Sequence, residues 1–162
     1  MAKAVAVKTT KEGKRFFAEL AKLSGLEVKA GFTAGGGGHG AGHESVSADD
    51  YKDGPAVAQV AAWNEFGTKH VPARPFMRQA AAKIEEGLAK AAPDIVAALA
   101  KGEIDADGAM REIGAWQVGM IQNEIREGGF AENAPSTKRQ KDSETPLYDT
   151  GRMAQSVHYA VT

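Results

Sequence analysis

Residues 61–78 leave the backbone few choices: Ala-Ala-Trp-Asn-Glu-Phe-Gly-Thr-Lys-His-Val-Pro-Ala-Arg-Pro-Phe-Met-Arg. Upstream, Val57, Val60, Ala61 and Asn64 fall at helical spacing with Trp63 and Phe66 beside them, and Gly67 stands where a left-handed residue closes a helix. Pro72 and Pro75 fix their own φ and push Val71 and Arg74 toward extended geometry, and Pro75 suits the first turn of a helix beginning at Phe76. The stretch therefore predicts two helices joined by a stiff elbow. Glu65 falls in the last turn of the first helix, where a carboxylate opposes the helix dipole. A cationic partner, Arg74 or Arg78, is expected to offset that cost and clamp the elbow.

Hydrophobic periodicity lays out the chain around the elbow. Val5 and Val7 alternate with Ala6 and Lys8, which allows a short strand. Thr9-Thr10-Lys11-Glu12 reads as a capping box, followed by a core-facing stripe of Phe16, Phe17, Leu20, Ala21 and Leu23 and a stop at Ser24-Gly25. Leu26, Val28, Ala30 and Phe32 then alternate with Glu27, Lys29 and Gly31, the clearest strand in the chain. Pattern is lost over residues 33–54, centred on Gly35-Gly36-Gly37-Gly38-His39-Gly40-Ala41-Gly42-His43-Glu44. A glycine run buries little and is costly to order, so a mobile loop is expected there until a partner orders it.

Asp53-Gly54-Pro55 restarts order ahead of the first elbow helix. Beyond the elbow, Phe76, Ala80, Ile84, Leu88, Ala91, Ile95 and Leu99 keep helical spacing in a scaffold helix that Pro93 is expected to kink or split and Lys101-Gly102 to close. Asp105 or Asp107 caps a further helix carrying Met110, Ile113, Trp116, Met120, Ile121 and Ile125, a stripe assigned to core or subunit contact, before Gly128-Gly129. Residues 128–146 form a polar, basic loop with Lys138, Arg139 and Lys141. Asp149 to Met153 makes a turn, and Val157, Tyr159 and Val161 alternate with Ser156, His158 and Ala160 in a second strand. Pairing it with residues 26–32 gives an α+β fold in one domain, 1–162: a small, mainly antiparallel sheet packed against several helices, with long flexible loops.

The same residues narrow the chemistry. A formal net charge of -1 gives no bulk attraction for nucleic acid. The absence of cysteine excludes disulfides and thiolate metal sites, and no apolar run approaches the roughly 20 residues that span a bilayer. His39, His43 and Glu44 have metal-ligand chemistry, but i, i+4 spacing aims two imidazoles together only on a helix, which these glycines oppose. No Gly-Lys-Ser/Thr follows the glycines and no serine sits in a nucleophile elbow. The expectation is a non-enzyme with no catalytic, cofactor or metal residues.

Trp63-Asn64-Glu65-Phe66-Gly67-Thr68 followed by Val71-Pro72-Ala73-Arg74-Pro75-Phe76 resembles the Glu-Phe-Gly-Thr and Pro-Ala-Arg-Pro-Phe signature of small neck and tail-completion proteins of tailed bacteriophages. A second block, Thr145-Pro146-Leu147-Tyr148-Asp149-Thr150-Gly151-Arg152-Met153-Ala154-Gln155-Ser156-Val157, is similar to the same family's ending. Two blocks in the right order make the match specific, and it spans about residues 26 to 161. The resemblance implies a virion structural protein assembled in the host cytoplasm: a ring-forming subunit, a hexamer or dodecamer, of the head-tail connector or tail terminator. Its implied partners are further copies of itself, a portal-side connector protein and tail tube or terminator proteins, with transient contact to genomic DNA in the channel and no membrane.

The glycine loop departs from the family pattern and leaves the station along the neck open. Interface residues are expected at Glu65, His70, Arg74, Phe76 and Arg78 on the elbow, at His39 and His43, and at Lys138, Arg139 and Lys141. The competing readings are a phage morphogenesis factor absent from the virion and a nucleic-acid-binding or metal-dependent accessory protein.

Overall fold

The computed structural model describes residues 10–32, 56–141 and 144–162. Its elements run α1 (Lys11–Leu23), β1 (Val28–Gly31), α2 (Val57–Phe66), α3 (Phe76–Lys101), α4 (Ala106–Glu127), α5 (Pro135–Gln140), α6 (Arg152–Gln155) and β2 (His158–Val161). The chain is mostly helical, and the described residues form one two-stranded antiparallel sheet. The strand expected around Val5 and the glycine-rich stretch lie outside the described residues.

Val28 stands opposite Val161 and Gly31 opposite His158, so the two segments pair antiparallel as their alternation predicts. Glu27 and Thr162 extend the ladder with two N–H···O bonds of 2.7 and 2.9 Å. Against this sheet packs α4, and along α4 runs α3. The core between them holds Phe76 and Ala80 from α3, Val118, Ile121 and Ile125 from α4, Ala61 from α2, and Leu147, Ala154, Val157 and Tyr159 from the last stretch of the chain.

α3 is a single helix through Pro93, neither split nor ended by it. Pro93 and Ala89, four residues earlier, are both exposed, so the carbonyl deprived of its donor stands in water. Gly102 closes the helix in the left-handed conformation, φ 75°. Asp105 opens α4, its carboxylate accepting the Gly108 N–H at 2.7 Å. Glu19 of α1 accepts the Ala106 N–H at 2.9 Å, and Lys22 pairs with Asp107, so α1 is fastened across the start of α4.

That placement corrects the expected core stripe of α1. No α1 residue is buried; Phe16, Leu20 and Leu23 are half-buried, Ala21 is exposed and Phe17 is 62% exposed. A helix seated over an inter-helix turn is covered along one narrow line only. Its cap is Thr10, whose hydroxyl accepts the Gly13 N–H, and Thr9 lies outside the described residues.

The stripe expected on α4 is core at Ile121 and Ile125 and departs from the core at its other positions. Its buried face is Ala106, Ala109, Gly114, Val118, Ile121, Glu124 and Ile125, while Met110, Ile113 and Met120 are half-buried and Trp116 is 38% exposed. Close approach selects the small residues: a Cβ on Gly114 would lie 2.2 Å from the Tyr159 ring, and one on Gly87 would lie 2.6 Å from the Trp116 ring. Trp116 therefore lies on the backbone of α3 instead of filling the core. Gly114→Ala is expected to lower stability by about 1–3 kcal/mol through overpacking against Tyr159, read as a urea midpoint shift. A change within about 0.5 kcal/mol would show that the ring moves aside freely.

β2 departs from the alternation read in the sequence. Val157, His158 and Tyr159 are all buried, so His158 does not face solvent. The short α6 sets the chain down against α4, where Gln122 Nε2 donates to the Ala154 carbonyl at 3.1 Å, and the entry to β2 is covered. The polar stretch 128–146 is likewise not all loop, since Pro135 opens the six-residue α5.

Candidate functional site

The elbow is held by four local devices. Gly67 has φ 75°, and a Cβ there would lie 2.9 Å from the Ala73 nitrogen, so both conformation and space call for glycine. The Thr68 N–H donates to the Val71 carbonyl at 2.8 Å, and the Thr68 hydroxyl accepts the N–H groups of His70 and Val71 at 3.2 and 3.1 Å. The Arg74 N–H donates to the Asn64 carbonyl at 2.6 Å, which closes the loop back onto α2. Pro75 then precedes α3 with no side-chain cap of its own.

The missing cap comes from α2. Glu65, 5% exposed, accepts the Met77 N–H through Oε2 at 2.8 Å, and its Oε1 accepts Arg78 Nε at 2.8 Å and the Arg78 N–H at 3.4 Å. One carboxylate thus occupies the positive end of α3 while it sits in the last turn of α2. Arg78 NH2 also donates to the Glu65 carbonyl at 3.2 Å, and its guanidinium lies 5.8 Å from the Phe66 ring centroid. Arg78 is the clamp partner of the two candidates.

Arg74 does something else. It is 4% exposed, and its guanidinium donates to Ala131 O at 2.8 Å, Asn64 Oδ1 at 3.0 Å, Asn133 Oδ1 at 3.1 Å and Glu132 O at 3.2 Å. All four acceptors are uncharged, and burial holds its pKa below the usual arginine value. The fork therefore fastens residues 131–133, far along the chain, to the elbow. Asn64 and Asn133 carry this arrangement without having been singled out in the sequence, where an asparagine on a helix and one in a polar stretch give no sign of facing one guanidinium. Asn133 Nδ2 and His158 Nδ1 are buried without a hydrogen-bond partner among the described residues.

Several expected interface residues are therefore corrected. Glu65 and Arg74 are buried in internal bonds, and Phe76 is wholly buried, edge-on to Phe32 at 6.1 Å. Their work is to build the elbow. His70, Arg78 and Arg139 are exposed. Lys138 pairs with Glu132 at 2.6 Å. Half-buried Lys141 donates to the Thr145 and Pro146 carbonyls at 3.1 and 3.2 Å, so the basic cluster is partly spent within the chain. His39 and His43 lie outside the described residues.

Burial lowers the Lys141 ammonium below its ordinary 10.5, Asp149 opposes the shift and Arg74 adds to it. The unfolded chain therefore holds more protons than the folded one between the lowered value and 10.5, and this group's contribution to stability rises with pH in that window. The urea midpoint of the wild type is expected to gain on that of Lys141→Met as pH rises from the lowered value toward 10.5. A constant difference would remove the burial argument.

The two sequence blocks meet in space. Val57, Val60 and Asn64 of α2 face Lys141, Pro146, Leu147 and Asp149 to Met153 across a shallow cleft. Trp63 and Phe66, 42% and 73% exposed, lie one turn apart on α2, and Arg78 lies beside Phe66. Among the described residues no helix is long and apolar enough to cross a membrane. Comparison with protein-family models, with curated proteins and with solved structures returns no match.

Proposed function

We propose that this chain is a structural subunit of the head-tail junction of a tailed bacteriophage, a homo-oligomeric ring-former of the connector or tail terminator that joins head to tail. One observation supports the reading most: the two blocks that carry the family resemblance, separated by some 70 residues, fold against each other around a single cross-linked elbow. A unit so fastened holds its outer side chains, Trp63, Phe66, His70 and Arg78, in fixed positions, as a repeating subunit contact requires. Further copies of the chain, a portal-side connector protein and tail tube or terminator proteins are the proposed partners.

Light scattering across concentration with negative-stain imaging tests this. A closed ring, or a ring formed only on added connector, is the expected result. A chain that stays monomeric alone and with purified neck proteins would overturn the reading. Immunodetection in purified virions separates a permanent joint from an assembly factor that leaves.

A further inference from the structure

We propose that the cleft between α2 and residues 145–153 binds a carboxylate, held directly by the Lys141 ammonium and favoured by the buried charge of Arg74 behind it. The site is independent of the ring-forming reading. Arg74 carries a full positive charge into the interior, and each of its four acceptors is a neutral oxygen. Among the described residues no carboxylate pairs with it, and desolvation is what lowers its pKa. Lys141 stands close enough for Arg74 to push its pKa down, so two like charges lie together with Asp149 acting against them. Two cations beside one carboxylate leave positive charge unmatched. Hydrogen-bond donors are unmatched at the same place. Asn133 Nδ2 belongs to the amide whose oxygen Arg74 holds at 3.1 Å, and it is buried without an acceptor among the described residues. An anionic acceptor answers both conditions.

Asn64 joins this interior spot to the cleft. Its Oδ1 accepts Arg74 NH1 at 3.0 Å, and the residue lines the cleft together with Lys141. Lys141 donates to the Thr145 and Pro146 carbonyls, and an ammonium has three N–H groups, so one is left for a ligand. The residue is half-buried, where a charge is screened less than in open water.

The class of ligand follows from the walls. Val57, Val60, Leu147 and Met153 give the cleft apolar sides, and its volume is about 240 Å³. That suits a carboxylate on a short aliphatic stem, and is below the usual size of a site for a larger organic ligand. A bare inorganic anion leaves the apolar sides uncovered. Asp149 lines the same cleft and opposes a dianion more strongly than a monoanion, which selects a carboxylate over a phosphate. Such a group is either a free short-chain carboxylate or the acidic side chain of a partner protein.

Propionate is the probe, with uncharged propionamide as its match in shape. In the full-length chain, replacing chloride by propionate at constant ionic strength and pH 7 is expected to raise the urea midpoint in a saturable way. Affinity is expected to be at least about tenfold weaker for propionamide, and for propionate with Lys141→Met. Amine footprinting with an acetylating ester places the effect without any variant: propionate is expected to slow acetylation of Lys141 and to leave exposed Lys29 and Lys69 unchanged. No saturable rise, equal effects of acid and amide, or equal protection of all three lysines overturns the site. Acetyl-Leu-Glu-Leu amide, beside its glutamine counterpart, separates the two sources. Binding tighter than propionate identifies a partner's side chain, equal or weaker binding identifies a free carboxylate, and both support the site. These readouts do not involve assembly, so the site and the ring can fail separately.

Discussion

Arg74→Met is expected to lower folding stability by about 3–4 kcal/mol, the largest effect of any single polar substitution in this chain. The guanidinium is buried, and it serves four neutral acceptors drawn from α2 and from residues 131–133. Methionine fills much of the same volume and carries no donor, so Ala131 O, Glu132 O, Asn64 Oδ1 and Asn133 Oδ1 lose their partners together. Removing a buried charge offsets part of this loss, because desolvation of Arg74 is itself unfavourable. Arg74→Lys keeps the charge but has one nitrogen for acceptors spread over both segments, and it is expected to recover less than half of the loss. Urea denaturation measures both. A loss under about 1 kcal/mol for Arg74→Met would mean that water replaces the fork and that residues 131–133 are held by other contacts.

The second large effect is expected at Glu65. Glu65→Ala should cost about 2–3 kcal/mol, since it leaves the N–H groups of Met77 and Arg78 uncapped in a nearly closed site and frees the Arg78 guanidinium. Glu65→Gln retains one acceptor oxygen but turns an amide donor toward Arg78 or toward a backbone N–H, and about 1–2 kcal/mol is expected. The exposed clamp partner behaves differently. Arg78 is 64% exposed in its side chain, so Arg78→Ala should cost less than Glu65→Ala. Equal losses for the two would show that the ion pair, not the cap on α3, carries the effect. Measured beside stability, ring formation separates a structural loss from a contact loss: Arg78→Ala should weaken assembly more than it weakens folding.

Much of the fold is local and therefore legible. The stops at Gly67 and Gly102, the start at Phe76 after Pro75 and the cap at Asp105 are decided by φ restrictions and orphan N–H groups within a few residues. Pairing of residues 26–32 with the last strand follows from two period-two segments in a chain of helices. The length of α3 through Pro93 was less legible, because a proline is tolerated when the carbonyl it frees faces water, and that depends on which side the helix buries.

The elbow divides along the same line. Sequence alone determined that residues 61–78 hold two helices at a stiff joint, that Glu65 needs a compensating positive partner, and that the chain builds a small antiparallel sheet with helices against it. Only the tertiary structure decided that Arg78 is that partner, that Glu65 caps α3 across the joint, and that Arg74 turns inward to residues 131–133. It also decided that the buried face of α4 joins its small residues Ala106, Ala109 and Gly114 to Val118, Ile121 and Ile125, and leaves out its methionines and tryptophan. Backbone preferences act over a few residues and are written in order along the chain. Which of two arginines meets a carboxylate, and which face of a helix lies nearest a tyrosine ring, depends on segments more than 40 residues away brought within hydrogen-bond or contact distance.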